Sequence, residues 1–261
     1  MDILPQVHLQ LRSLRMPGIV DNLSVRLAEA NEHRLGYLDF LSLLLQDERQ
    51  QRDNNQMNEC LRLSGMGQEK TFEGFDWNFN PQSFPRPFLN DLRTCAFIDE
   101  GKNVVLAGPP GIGKTHLAKA LGHEACRRKR RVLFRKTHSL FHDLSQASRP
   151  ERSERLLKNA IRVDLLILDD FAFRRFEPRE VDLLYALSDE RQSGQAIIMT
   201  SNRPTEDWLN AFPDPVMGGA ILDRLVSGAY KVIVKQARSY RKEGMPQPLP
   251  TEQDALADTN R

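Results

Sequence analysis

The sequence predicts an α/β fold, a parallel five-stranded sheet flanked by helices, preceded by a small all-helical N-terminal domain and lacking a C-terminal lid domain. Three observations predict it. From Gly101 onward, short apolar runs alternate with amphipathic helical stretches, the pattern of parallel strands joined by crossover helices. One of these runs leads straight into a glycine-rich loop followed by a helical stretch. Before residue 66 only helical spacing is seen, with no competing strand pattern.

In the N-terminal part, Ile19, Leu23, Leu27 and Ala30 recur at near-helical spacing, as do Leu38, Leu41 and Leu45, and later Met57 and Leu61. Pro17-Gly18 breaks the first helical stretch, and Ser64-Gly65-Met66-Gly67 ends the last. These signals bound a helical domain over residues 1–67. Residues 68–100 read as a linker: Phe72, Phe75, Trp77, Phe79 and Phe84 alternate with Pro81, Pro85 and Pro87, which suits an extended segment pinned by aromatic rings onto the following domain. In the core, over 101–243, strands are expected at 104–107, 132–135, 165–168, 196–200 and 230–234. Helices are expected near 114–128, 138–147, 153–162 and 178–193, the last opened by Pro178 at a favourable first-turn position. Residues 244–261, with Pro246, Pro248, Pro250 and an acidic end, read as a disordered tail.

Composition sets outer limits. A chain of 261 residues with 40% apolar content can bury a substantial core. No apolar run is long enough to span a bilayer, and the first residues lack a secretory signal, so a cytoplasmic protein with no membrane partner is expected. Cys60, Cys95 and Cys126 are odd in number, far apart and without CxxC pairing, which points to reduced, partly buried thiols. The net charge of +2 does not by itself call for a polyanionic partner. The distribution is uneven, however. Arg127, Arg128, Lys129, Arg130 and Arg131 are followed by Arg135 and Lys136, then by Arg149, Arg152, Arg155, Lys158 and Arg162. Such a band either tracks phosphates without reading bases or forms a solvated helix face, and charge alone does not choose between them.

The chemistry concentrates in Gly108-Pro109-Pro110-Gly111-Ile112-Gly113-Lys114-Thr115, set between the apolar run 103–107 and a helical stretch. A phosphate-binding loop requires this strand-loop-helix context. Its glycines let successive N–H groups point at phosphate oxygens, and the helix N-terminus adds its positive dipole end. The loop, with His116 just beyond it, is therefore expected to bind ATP. Lys114 is expected at the β- and γ-phosphates, and Thr115 on Mg²⁺.

A second apolar strand, 164–168, ends in Asp169 and Asp170, a Walker B pattern that delivers two carboxylates where ligands of open α/β sheets lie. Asp169 is the candidate for Mg²⁺. Asp170 is the candidate to polarise the attacking water, the alternative being a strand-end cap. Because Asp is shorter than the Glu common at this position, slow intrinsic hydrolysis is expected. A third strand, 196–200, runs into Ser201-Asn202; Asn202 either orients water beside the γ-phosphate or serves as a turn residue before Arg203-Pro204. His116 and His138 have no clustered metal-type ligands around them.

Taken in order, GPPGIGKTHLAKAL, DLLILDD, IIMTSNRP and AILDRL resemble the AAA+ ATPases of the IstB and DnaC group over nearly the whole chain. The likeness is closer to IstB, the transposition helpers of insertion sequences, because the helical front, the Asp-Asp-Phe ending of Walker B and the Trp208…AILDRL…SYR tail run together. The resemblance implies an ATP-dependent homo-oligomer on double-stranded DNA that engages a cognate transposase, and it tips the basic band towards DNA. It also implies that Arg224 is an arginine finger reaching into a neighbouring subunit's site; an internal ion pair with Asp223 is the alternative. In one respect the chain departs from the family. Many members carry a glycine before the terminal Ser-Tyr-Arg, whereas this chain reads Lys235-Gln236-Ala237-Arg238-Ser239-Tyr240-Arg241, leaving open whether Arg238 or Arg241 acts as a sensor or the tail is simply exposed.

Two other function classes share the loop. A DnaC-like helicase loader has nearly the same core and differs in its protein partner. A small-molecule kinase also uses a P-loop, but Asp169-Asp170 with Asn202 suits attack by water better, and no arginine-rich lid segment is present.

Overall fold

A computed structural model describes residues 3–146, 150–191 and 195–243. The expected tail over 244–261 and the end of the expected helix 178–193 lie outside the described residues.

Three helices open the chain: α1 (Leu4–Ser13), α2 (Pro17–His33) and α3 (Tyr37–Ser64). Pro17 stands in the first turn of α2, as its missing N–H and fixed φ favour, and Gly65 ends α3 in the left-handed region at φ 76°. The N-cap residue of α2, Met16, offers no side-chain acceptor. Instead the buried Glu48 of α3 accepts from the N–H groups of Gly18 (2.8 Å) and Ile19 (3.4 Å). One helix thus caps another and the negative charge sits at a positive dipole end. Gly18 makes the approach possible, since a Cβ there would lie 2.7 Å from the backbone of Asp47 and Glu48. Arg26 adds a paired contact to Asp47 at 2.8 Å through two nitrogens. Ile19, Leu23 and Leu44 form the small core between these helices.

Between α3 and the sheet, the structure corrects the extended-linker expectation. Residues 72–84 do run without regular helix or strand, but α4 (Arg86–Arg93) and α5 (Ala96–Asp99) follow. Pro85 and Pro87 fall at the N-cap and first turn of α4, where proline starts a helix, and Leu89 and Leu92 bury its inner face. Proline-rich composition reads as extended chain unless the apolar spacing after it is weighed as well.

The remaining elements are β1 (Val104–Ala107), α6 (Lys114–Arg127), β2 (Val132–Lys136), α7 (Thr137–Gln146), α8 (Pro150–Arg162), β3 (Leu165–Asp169), α9 (Pro178–Glu190), β4 (Ala196–Ser201), a 3₁₀ turn (Thr205–Ala211), α10 (Pro215–Val226), β5 (Tyr230–Ile233) and the short α11 (Tyr240–Glu243). All strand pairs are parallel, in the order β2-β3-β4-β1-β5. Each strand expected from the sequence is present within a residue or two. The 3₁₀ turn and α10 were not expected, although Asp214-Pro215 is a start signal: the Asp214 carboxylate accepts from the N–H of Val216 at 2.8 Å.

Alternation along the buried strands sorts two cores. Val104, Leu106, Val132, Leu165, Ile167, Ile198 and Val232 face α6, α4 and α5 together with Leu61, Met66, Phe72 and Phe84. Val105, Ala107, Leu133, Leu166, Leu168, Ile197 and Met199 face the layer that includes Phe141, Leu184, Trp208 and Ile221. The result is a three-layer sandwich with the end of α3 and the aromatic segment built into one layer.

Cysteine pairing is a second correction. Cys60 of α3 and Cys126 of α6 form a disulfide across a sequence separation of 66, while Cys95 is free and buried. The spacing concealed the pair because it depends on α3 packing along α6, a tertiary contact. No helix among the described residues is long and apolar enough to cross a membrane.

Glu48→Ala removes the acceptor for the start of α2 and is expected to destabilise the protein by about 1.5–3 kcal/mol, the worth of hydrogen bonds to a charged group. Urea denaturation followed by circular dichroism measures it. An unchanged midpoint would show that the α2 terminus needs no partner.

Candidate functional site

The loop 108–113 joins the C-terminal end of β1 to α6, and its backbone depends on glycine at Gly111 (φ 81°) and Gly113 (φ 101°). At both positions space is also lacking: a Cβ on Gly111 would meet the Ser239 hydroxyl at 2.1 Å, and one on Gly113 would meet the Phe75 ring at 2.6 Å. The loop is therefore packed on its outer side by the aromatic segment and by the tail, and on its inner side it borders a cavity of about 780 Å³.

That cavity gathers residues from distant parts of the sequence. Pro110, Gly111, Ile112, Gly113, Lys114, Thr115 and His116 line it, with Asp169, Asp170 and Asn202. Gly108 and Pro109 take another role. Their carbonyl oxygens accept from the Lys114 ammonium at 2.8 and 2.7 Å, and Asn202 Oδ1 accepts its third proton at 2.7 Å. All three donors of Lys114 are thereby used within the protein. A triphosphate entering the cavity would offer anionic oxygens in exchange for two carbonyls, a stronger set of acceptors.

Beside it, Asp169 is nearly fully buried at the end of β3. Its Oδ1 accepts from the hydroxyls of Thr115 (2.7 Å) and Thr200 (2.5 Å). The donor set fits Mg²⁺: a hydroxyl and a carboxylate, hard oxygens side by side, with phosphate oxygens to complete the shell. Among the described residues no group of three or more His, Cys, Asp or Glu could cage a metal alone. Asp170 follows in the left-handed region at φ 56°, its N–H donating to Thr200 Oγ1 at 3.1 Å. This backbone turn separates two adjacent carboxylates: both border the cavity, and Asp169 is the one held by the hydroxyls.

His116 lines the cavity, but its Nε2 is tied to the Thr71 carbonyl at 2.7 Å and its ring meets Phe75 edge-on. Burial holds its pKa below the ordinary imidazole value despite that bond. Several lining residues escaped the sequence reading: Lys70, Phe75, Phe79, Asn80, Lys119, Phe173 and Tyr240. Phe75 and Phe79 had been assigned only to packing, and nothing local marks Asn80 or Lys119. Of the two tail arginines, Arg241 lines the cavity and Arg238 does not.

Arg224 lies away from this cavity. Its guanidinium stacks 4.5 Å from the Tyr185 ring centre, donates to the Tyr185 hydroxyl at 3.3 Å and pairs with Asp189 at 3.2 Å, so the ion pair is with α9 rather than with Asp223. The basic run is likewise paired: Arg127 and Arg128 with the buried Glu124 (2.9 and 3.2 Å), Lys129 with Asp53 (2.6 Å), Arg130 with Asp99 and Arg131 with Asp164 (3.0 Å). It precedes β2, at the edge of the parallel sheet opposite the loop. Arg135 and Lys136 fall at the other end of β2, where Lys136 lines the cavity and Arg135 donates to the Phe134 carbonyl. Residues 147–149 lie outside the described residues.

Burial pushes the Lys114 ammonium down to about 8, with Arg241 adding to the shift and Asp170 and Asp169 opposing it. A bound triphosphate would restore the charged form, so nucleotide binding takes up a proton near and above pH 8. Affinity for Mg-ATP is therefore full below about pH 8 and falls as pH rises beyond it, approaching about tenfold per unit. Calorimetric titration in buffers of different protonation enthalpy, from pH 7 to 9.5, measures both effects. Affinity independent of pH over that range would contradict this electrostatic account.

Comparison with known proteins gives the family and the fold. A family model described as IstB-like ATP binding protein matches residues 9–247. An ATP-binding protein in an insertion sequence of Mycobacterium tuberculosis is 36% identical over 243 residues, covering 93% of this chain and 96% of that protein. The insertion sequence IS21 ATP-binding protein of Pseudomonas aeruginosa is 35% identical over 236 residues, covering 90% and 88%. Among solved structures, AMPPCP-bound DnaA from Aquifex aeolicus superposes with a TM-score of 0.54 at 20% identity, over 76% of this chain and 62% of that one. DnaI superposes with a TM-score of 0.53 at 22% identity, over 69% and 92%. These two likenesses show the AAA+ fold. Matched along almost its whole length and built around a complete phosphate-loop site, the chain belongs to the family of IstB-like ATP binding proteins.

Proposed function

We propose that this chain is an ATP-hydrolysing transposition helper that assembles as a homo-oligomer on double-stranded DNA and recruits or activates the transposase of its insertion sequence. The observation that carries the reading is the convergence of Lys114, Asp169, Asp170 and Asn202 on one cavity, in a chain whose relatives are ATP-binding proteins of insertion sequences.

The chemistry follows from the placement. Loop N–H groups and Lys114 hold the β- and γ-phosphates, and Asn202, now bonded to Lys114, stands where it can orient a water molecule. Mg²⁺ held by Thr115 and Asp169 would supply charge neutralisation at the phosphate oxygens. Asp170 accepts a proton from water as its oxygen attacks the γ-phosphorus, and the bond to the β-phosphate oxygen breaks to release ADP and phosphate. Arg224, absent from its own subunit's cavity, serves the site of an adjoining copy; to do so it leaves Asp189, a half-exposed partner that holds it weakly.

Contacts to DNA are assigned to the basic run before β2 and to Arg135 and Lys136 at the far end of that strand, a separate surface where Lys136 borders the nucleotide cavity. The pairs of Lys129, Arg130 and Arg131 do not forbid this, because pairs open to solvent contribute only about 0–1 kcal/mol and phosphates can replace the carboxylates; Arg127 and Arg128, held by the buried Glu124, are themselves still exposed at 40% and 44%.

Three variants test the site. Lys114→Ala is expected to abolish Mg-ATP binding and nucleotide-dependent assembly. Asp170→Ala is expected to keep binding and to accumulate the ATP-bound oligomer on DNA, with hydrolysis lowered about 10²-fold or more; failure to assemble would show a different role for Asp170. Arg224→Ala is expected to bind ATP but to lose about 10³-fold in turnover. Mixing Arg224→Ala with Lys114→Ala restores part of the activity if the finger acts between subunits, and no rescue would refute that. For the DNA contacts, the logarithm of affinity for duplex DNA is expected to fall linearly with the logarithm of salt concentration, with a shallower slope after replacing Arg127–Arg131 by Ala. Capture of a replicative helicase in place of a transposase would move the chain to the loader reading.

A further inference from the structure

After β5 the chain turns back across the outer side of the phosphate loop. The Val234 N–H donates to the Ala107 carbonyl at 2.8 Å, and the Tyr240 N–H donates to the Gly111 carbonyl at 2.9 Å. Ser239 fills the space that a Cβ on Gly111 would need. The strap 238–241 is held from its other side by the aromatic segment, through one residue above all. Asn80 Nδ2 donates to the Arg238 carbonyl at 2.9 Å, and Asn80 Oδ1 accepts from the Arg238 N–H at 3.2 Å. A single side-chain amide thus satisfies both backbone groups of one residue, as a neighbouring strand would, across a sequence separation of 158. Around this pair, the Arg238 guanidinium lies 4.8 Å from the Phe79 ring centre and donates to the Phe79 carbonyl at 2.8 Å. The Tyr240 and Phe79 rings also meet edge-on, with centres 5.0 Å apart.

Arg238 is thereby spent on the latch, and three residues further on Arg241 lines the cavity with Lys114. Among the described residues no carboxylate pairs with Arg241. The segment entering the core and the segment leaving it are joined at one amide, and the consequence of the join is that Arg241 stands with the lysines that line the triphosphate site.

We propose that Asn80 is a positioning residue, an amide latch that fastens the strap 238–241 to the phosphate loop and so sets Arg241 against the phosphates of bound ATP. The proposal rests on the ATP-site reading above. It assigns the discrimination between the two tail arginines to geometry: Arg238 holds and Arg241 contacts. It also gives the aromatic segment a part in nucleotide binding beyond packing, since Phe79 supports both Arg238 and Tyr240.

The test uses the full chain and the fluorescent nucleotide mant-ATP with Mg²⁺, together with hydrogen exchange of the strap amides. Asn80→Ala is expected to weaken mant-ATP binding about three- to tenfold, the loss of two neutral hydrogen bonds, and to speed exchange at 238–241 with no change in the thermal midpoint. Arg241→Ala is expected to weaken binding roughly tenfold or more, a charge-assisted contact to phosphate. Because Asn80 acts through Arg241, the double variant binds no worse than Arg241→Ala alone. Asn80→Asp keeps the acceptor for the Arg238 N–H but loses the donor, and recovers part of the affinity. Additive losses, or an Asn80→Ala variant that binds like the parent while Arg241→Ala does not, would overturn the latch alone. A folded parent chain that binds no mant-ATP would instead overturn the ATP-site reading, and the latch with it.

Discussion

A buried carboxylate at the end of a central strand is the constraint on which the site depends. Asp169 is almost out of contact with solvent, and an isolated charge there would cost several kcal/mol. It is retained because two hydroxyls converge on one of its oxygens, Thr115 from the first turn of α6 and Thr200 from β4. Thr137 at the start of α7 also donates to the Asp169 carbonyl at 2.9 Å. The carboxylate therefore fixes the phosphate loop relative to β3 and β4 before any ligand arrives. Catalytic electrostatics depends on this kind of preorganisation, since groups already in place need not reorganise during the reaction.

The same node explains the neighbouring geometry. Thr200 donates to Asp169 and accepts from the Asp170 N–H, so the backbone must turn sharply after β3, and the left-handed φ of Asp170 is the outcome. Such a conformation in a non-glycine residue persists only where its surroundings enforce it. Here it directs two sequential carboxylates to different tasks. On the far side of the loop, the Lys114 ammonium donates its hydrogen bonds to two carbonyls and to Asn202 rather than to the nearby Asp169 or Asp170. Neither acid is tied up in an ion pair with Lys114, and the ammonium can change partners without breaking one.

Around this centre the protein supplies closure from segments that do not belong to the sheet. The aromatic segment before β1 and the strap after β5 both rest on the phosphate loop, and the end of α3 enters the same apolar layer as α6. Cys60 and Cys126 tie α3 to the helix that carries Lys114 and Thr115. The helical front of the chain and the nucleotide site are thus mechanically joined, a physical route by which events at either could bear on the other.

Much of this was legible in the linear order of residues. Apolar runs bounded by turn residues located the five strands, most clearly β1, β3 and β4, which are buried on both faces and read as continuous hydrophobic stretches. The glycine-rich loop, Lys114, Thr115, Asp169, Asp170 and Asn202 were legible because each lies at, or in the loop and first helical turn after, the C-terminal end of a strand, where the parallel topology brings them together. What depended on contacts between distant segments was not. The pairing of Cys60 with Cys126, the capture of the Arg127–Arg131 run by Glu124, Asp53, Asp99 and Asp164, the partnership of Arg224 with Tyr185 and Asp189, and the Asn80 latch all depend on contacts that local periodicity does not reveal. Charge and residue type along the chain determined which chemistry was possible here, whereas packing decided which of those side chains stay free to perform it, because a hydrogen bond or ion pair acts over a few ångströms of space and is indifferent to sequence distance.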